Sequence, residues 1–111
     1  MDKKWILWLD DVRDPSHRTH KRKWEDREFD APWWCLSFKQ AAAMIKLHGL
    51  PVFMFLDHDL GSGDTGMDFL RFLERTGYVE NCAPPDYEII SDNPNGTKNM
   101  ESFMESWKKI K

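Results

Sequence analysis

At 111 residues, with 41% apolar and 32% charged residues, the chain is long enough to bury one hydrophobic core and too apolar for a disordered segment. A net charge of −3 argues against a general nucleic-acid coat, stable duplex binding or an anionic-membrane binder. Cys35 and Cys82 lack paired spacing and suit free thiols in a reducing compartment, and the apolar run near the start is too brief for a signal core or a membrane span. A single cytoplasmic domain over residues 1–111 is the expectation.

In chain order, "WILWL" (5–9) is an unbroken apolar run, as expected of a strand covered on both faces. A long loop follows. Its segment 13–24, "RDPSHRTHKRKW", is rich in cationic groups and reads mainly as solvated surface, within which His17 and His20 are candidate proton donors. "WWCL" (33–36) reads as a flanking strand. Ser37 then caps a helix with Gln40 three residues on, an apolar stripe of Phe38, Ala41, Ala42 and Ile45, and Gly49 as its stop. "VFMFL" (52–56) is a second central strand. Thr65 and Asp68 open another helix carrying Met67, Leu70 and Leu73 and ending at Gly77. "YEII" (87–90) is a flanking strand, and Asn93 with Pro94 starts a last helix along which Met100, Phe103, Met104 and Trp107 recur. Trp5 and Trp8 are expected in the core and Trp107 on the apolar helix face. Trp24, Trp33 and Trp34 are expected to be exposed.

Right-handed crossovers turn this order into a three-layer α/β fold with a parallel sheet of about four strands, ordered 2-1-3-4. The winding reverses between strands one and three, so the crevice lies at their carboxyl ends. Those ends carry Asp10 and Asp11, and Asp57, His58 and Asp59. Carboxylates converging there repel one another unless a cation sits among them, and all-oxygen ligands favour Mg²⁺ or Mn²⁺ over zinc. Asp10, Asp11 and Asp57 are therefore the candidate metal ligands. Arg13 is close enough to the acidic pair to flank a bound phosphate, and "SDNPNG" (91–96) feeds a helix N-terminus, with Ser91 and Asn93 as further donors. The string "GSGDTG" (61–66) is weak evidence for a dinucleotide site, because it starts well past the strand and behind two carboxylates. Asp57, Asp59 and Asp68 stand at EF-hand offsets, but Ser62 replaces the turn glycine.

Taken together, "LWLDDVRDP" (7–15), "FLDHDLG" (55–61), "TGMDFLRFL" (65–73) and "ISDNPNGTKNM" (90–100) resemble, in order and over nearly the whole chain, the cyclic-phosphate-processing receiver-like domain family. The resemblance implies a truncated receiver or flavodoxin-like fold that acts on cyclic phosphates of nucleotide or ADP-ribose derivatives. It adds Thr65, Gly96 and Asn99 to the phosphate-binding set, covers Gly66 as well, and supports the acidic residues, Arg13, His58, Ser91 and Asn93. Two departures stand out: Ile90 occupies a position where the family pattern usually has His, and segment 15–32 is longer and more basic than the pattern implies, fitting either a substrate lid or a branch with a different substrate. The leading expectation is a metal-dependent hydrolase, a phosphoesterase in which Asp57, His58 and Asp59 are catalytic, with either water or Asp57 as nucleophile. The alternatives are a non-catalytic nucleotide-sequestering module and a phosphoacceptor receiver, the latter weakened because Lys98 is the only nearby candidate for the receiver's lysine.

Overall fold

A computed structural model describes residues 4–61 and 63–110. Ser62 and the residues at the two ends lie outside them. The elements are β1 (Ile6–Leu9), α1 (Arg18–Glu25), β2 (Trp33–Cys35), α2 (Phe38–His48), β3 (Phe53–Leu56), α3 (Gly66–Arg75), α4 (Tyr78–Asn81), β4 (Asp86–Ile89) and α5 (Pro94–Ile110). All strands pair in parallel in the order β2-β1-β3-β4, as the crossover argument requires. The register sets Leu7 between Trp33 and Met54, and Leu9 between Cys35 and Leu56.

Alternation along the strands divides the side chains between two cores. Trp5 just before β1, Leu7 and Leu9 of β1, and Met54 and Leu56 of β3 face α2, α3 and α5, whose Ala41, Ile45, Phe69, Leu73, Met100 and Trp107 complete the larger core. Ile6, Trp8, Phe53 and Phe55 point to the other side, where Trp24, Phe29 and Ile90 cover them. This gives the three layers: α2, α3 and α5, then the sheet, then α1. The helix ends follow the local signals. Ser37 Oγ accepts from the Gln40 N–H at 3.2 Å, although Gln40 Oε1 reaches back to the Leu36 N–H instead of that of Ser37. Thr65 and Asp68 form a reciprocal capping box, and Asn93 Oδ1 accepts from the Gly96 N–H at 2.9 Å. Cys35 and Cys82 are both free, and burial pushes the Cys35 thiol up to about 11. No helix among the described residues is long and apolar enough to cross a membrane.

The segment between β1 and β2 departs from expectation. It holds α1, whose His17 caps it by accepting from the Thr19 N–H. Trp24, expected in solvent, is only 8% exposed and donates its indole N–H to the Pro15 carbonyl at 2.9 Å. Lys23 Nζ and Arg27 Nη2 clasp Glu88 of β4 at 2.6 and 3.0 Å, and the Arg27 guanidinium lies 4.9 Å from the Phe53 ring centre. Much of the basic segment is thus a helix fastened to the back of the sheet, and two of its cations are paired there. Trp33 and Trp34 are exposed as expected, while Trp5, Trp8 and Trp107 are buried. The single-turn α4 had no separate signal; Val79 anchors it.

Candidate metal and phosphate site

The parallel ladder runs one residue beyond the strands: Asp10 N–H donates to the Cys35 carbonyl at 3.1 Å, Asp57 N–H to Leu9 at 2.9 Å and Ile90 N–H to Leu56 at 2.9 Å. These bonds align the strand ends, so Asp10, Asp57 and Ser91 meet at one edge. Two indoles brace the loop after β1. Trp8 donates to the Arg13 carbonyl at 2.8 Å and Trp34 to the Asp10 carbonyl at 2.7 Å. Asp10, fully buried, folds this loop onto itself by accepting from the N–H groups of Val12 (2.8 Å) and Arg13 (3.0 Å).

The loops enclose a cleft of about 410 Å³ lined by Asp11, Val12, Arg13, Asp57, Asp59, Gly61 and Asp92. Asp10, Asp11 and Asp57 each offer a carboxylate oxygen, all within 4.8 Å of one another. Oxygens bound to Mg²⁺ at about 2.0–2.1 Å lie about 2.9 Å apart when adjacent and about 4.2 Å apart when opposite, so the three carboxylates would draw together to close on such an ion. The donor chemistry fits as well, being hard oxygen throughout. Gly61 makes room for it: its φ is +72°, and a Cβ there would collide with Asp11 Oδ2.

Arg13 is the counter-charge. Its Nη1 donates to Asp10 Oδ2 at 2.9 Å and lies 3.7 Å from Asp57 Oδ1, while Nη2 bonds Asp92 Oδ2. The hydrogen bond to Asp10 is the main reason its guanidinium titrates above the ordinary arginine range. One cation among Asp10, Asp11, Asp57, Asp59 and Asp92 leaves the cleft strongly acidic. Burial first, and then the Asp10 charge, push the Asp57 carboxyl up to about 6; Arg13, the His58 N–H and Ser91 act in the opposite direction.

Past the end of β3, Asp59 lines the cleft and His58 turns toward the start of α5. His58 Nδ1 lies 3.0 Å from Asp59 Oδ1, and Asn93 Nδ2 donates to Asp59 Oδ2 at 3.2 Å. These contacts, His58 first, hold the Asp59 carboxyl below its usual range. The imidazole rests against Gly96, where a Cβ would overlap its ring. Gly96 is therefore a packing position for His58. Ser91 Oγ accepts from the Asn93 N–H at 3.0 Å and is near enough to Asp57 to lower its pKa.

Not every candidate reaches the cleft. Thr65 spends its hydroxyl and N–H on the Asp68 cap, and Gly66 donates to the His58 carbonyl at 2.8 Å, so this pair supports the loop from below. Asn99 opens onto a separate groove of about 510 Å³ between α3 and α5, beside Met67 and Arg71. His17 is occupied in the α1 cap, and His20 Nδ1 pairs with the Asp14 carbonyl at 3.0 Å; neither lines the cleft. Ile90 faces the core under α1, so an imidazole at that position would face the same way. Asp92 went unassigned from sequence although it sits inside "SDNPNG"; its partnership with Arg13 spans 79 residues and has no local signal.

Neither the curated proteins nor the solved structures contained a match to this chain. The model of one family, the cyclic-phosphate processing receiver domain, matches residues 5–106. With the 2-1-3-4 sheet and the acidic residues at its switch point, that match over nearly the full length establishes that the chain belongs to the cyclic-phosphate processing receiver domain family.

Proposed function

We propose that this domain is a metal-assisted phosphoesterase that opens or removes a cyclic or terminal phosphate on a nucleotide or ADP-ribose-type substrate. The observation that carries the reading is the convergence of Asp10, Asp11 and Asp57 to within 4.8 Å at the crevice where the sheet reverses its winding. A cleft this acidic repels a phosphate on its own. Asp10, Asp11 and Asp57 would hold Mg²⁺ or Mn²⁺, which supplies charge neutralisation to the phosphoryl oxygens.

The chain's own groups account for the remaining chemistry. Arg13 lines the same cleft and presents a guanidinium to a phosphoryl oxygen. Asp59 also lines the cleft and would act as the base toward an attacking water, with His58 and Asn93 fixing its orientation. The water oxygen bonds to phosphorus as the opposite P–O bond breaks. Its proton passes to Asp59, and the departing sugar oxygen takes a proton from solvent.

The test is turnover of adenosine 2′,3′-cyclic monophosphate with added Mg²⁺ or Mn²⁺. Activity is expected in the wild type and absent in Asp57→Asn. Undiminished hydrolysis by Asp57→Asn, or by metal-stripped protein, overturns the assignment.

A further inference from the structure

Positive charge in this chain is gathered on one short helix. The whole chain carries −3, yet four of the eight residues of α1, "RTHKRKWE", are Arg or Lys. Helical spacing divides them between two faces. His20, Lys23 and Trp24, with Arg27 one turn on, turn toward the sheet: Trp24 packs in the back-face core, His20 lies against Trp8, and Lys23 and Arg27 hold Glu88. Arg18, Lys21 and Arg22, at positions i, i+3 and i+4, share the opposite face and are exposed. Among the described residues none of these three side chains has a partner. Like charges at such spacings repel one another and oppose the helix, a cost that a bound polyanion would relieve.

This face is fastened to the wall of the acidic cleft. Arg13 lines the cleft, and α1 begins five residues later, which limits the chain between them to about 18 Å. Direct contacts shorten that link. His20 Nδ1 lies 3.0 Å from the Asp14 carbonyl, and its ring stands 5.9 Å from that of Trp8, whose indole N–H donates to the Arg13 carbonyl at 2.8 Å. The first turn of α1 is therefore packed on the stretch that carries Arg13, and the free cations lead away from it. Neighbours on this face are about 5–6 Å apart, and their long side chains can meet successive phosphates of one extended strand. A free mononucleotide, whose one phosphate is held in the cleft, has nothing to offer them.

We infer that Arg18, Lys21 and Arg22 form a track for the backbone phosphates of a single-stranded oligonucleotide whose terminal phosphate occupies the cleft. This rests on the phosphate reading of the cleft and narrows its substrate to a strand end.

The experiment is calorimetric binding, in Mn²⁺, of the slowly hydrolysed 3′-phosphorothioates of hexaadenylate and of adenosine. The proteins are wild type, Arg18→Gln/Lys21→Gln/Arg22→Gln, and Arg18→Lys/Arg22→Lys. At about 50 mM salt, wild type should hold the hexamer about tenfold more tightly than the monomer. The Gln variant should lose that preference while the monomer stays within about twofold; the Lys variant, which keeps the charges, should retain most of it. The slope of log affinity against log salt for the hexamer should fall by about 2 in the Gln variant, as three lost phosphate contacts on a single strand require. A preference that survives in the Gln variant, an unchanged slope, or displacement of the hexamer by hexaglutamate as readily as by hexaadenylate overturns the inference. If the monomer binds wild type and the hexamer binds no better, only the role of α1 fails. If neither ligand binds wild type, the phosphate reading fails and the role of α1 with it.

Discussion

Removing one negative charge from the cleft should make the metal-free protein more stable. The side chain of Asp57 is 8% exposed, and burial with the Asp10 charge holds its carboxyl at about 6 instead of its ordinary 3.8. A raised folded-state pKa means that the native protein binds the proton more tightly than the unfolded chain. The associated stability is fully present below about pH 4 and is lost as pH rises through about 6. The difference corresponds to at most about 3 kcal/mol. Asp57→Asn keeps the shape and leaves Oδ1 to accept the His58 N–H, now 2.9 Å away, while removing the charge. In urea titrations with chelator, the variant should exceed the wild type by about 1–3 kcal/mol at pH 8, with the gap closing toward pH 4. Added Mn²⁺ should then stabilise the wild type and do little for the variant. A variant no more stable than wild type at pH 8, or one equally stabilised by Mn²⁺, would refute the electrostatic account.

Two further substitutions separate the site from its scaffold. Gly61→Ala forces a side chain into a φ of +72° and against Asp11 Oδ2; calorimetry should show Mn²⁺ affinity falling by about 10- to 100-fold, and an unchanged affinity would remove Asp11 from the ligand set. Trp24→Ala empties the centre of the back-face core and should cost about 3–5 kcal/mol in urea unfolding, whereas a loss below about 1 kcal/mol would mean that α1 is not held as described.

The sheet could be read from sequence because its determinants are local. "WILWL" and "VFMFL" announce doubly covered strands, and Ser37, Thr65 and Asn93 each mark a helix start that the structure retains. Once the order 2-1-3-4 follows, adjacency of Asp10 and Asp57 follows too, since parallel pairing aligns the carboxyl ends of β1 and β3. The helix α1 could not be read in this way. "RTHKRKWE" offers a single apolar anchor, Trp24, so it shows no amphipathic repeat, and its stability comes from Glu88, Phe53 and Pro15 elsewhere in the chain. Asn99 illustrates another gap. It belongs to the motif but stands three residues past Gly96, which in a helix means about 4.5 Å further along the axis and a rotation of about 300°. That displacement carries it from the His58 side of the helix start to the groove beside α3.

The position of Arg13 links folding to the proposed chemistry. Without a counter-charge, a buried Asp10 beside a nearly buried Asp57 would oppose closure of the two central strand ends. The guanidinium, bonded to Asp10 and Asp92 and 3.7 Å from Asp57, moderates that repulsion within the chain itself. A divalent ion seated among Asp10, Asp11 and Asp57 would take over this role, because it competes for the same oxygens. Arg13 would then be free to turn its donors toward a phosphate, without a large movement, since Asp92 already draws its outer nitrogen to the cleft's rim. On the proposed reading, one side chain therefore keeps the acidic strand ends together before the ion binds and meets the substrate afterwards. The same geometry explains why the cleft tolerates so many carboxylates with so few cations.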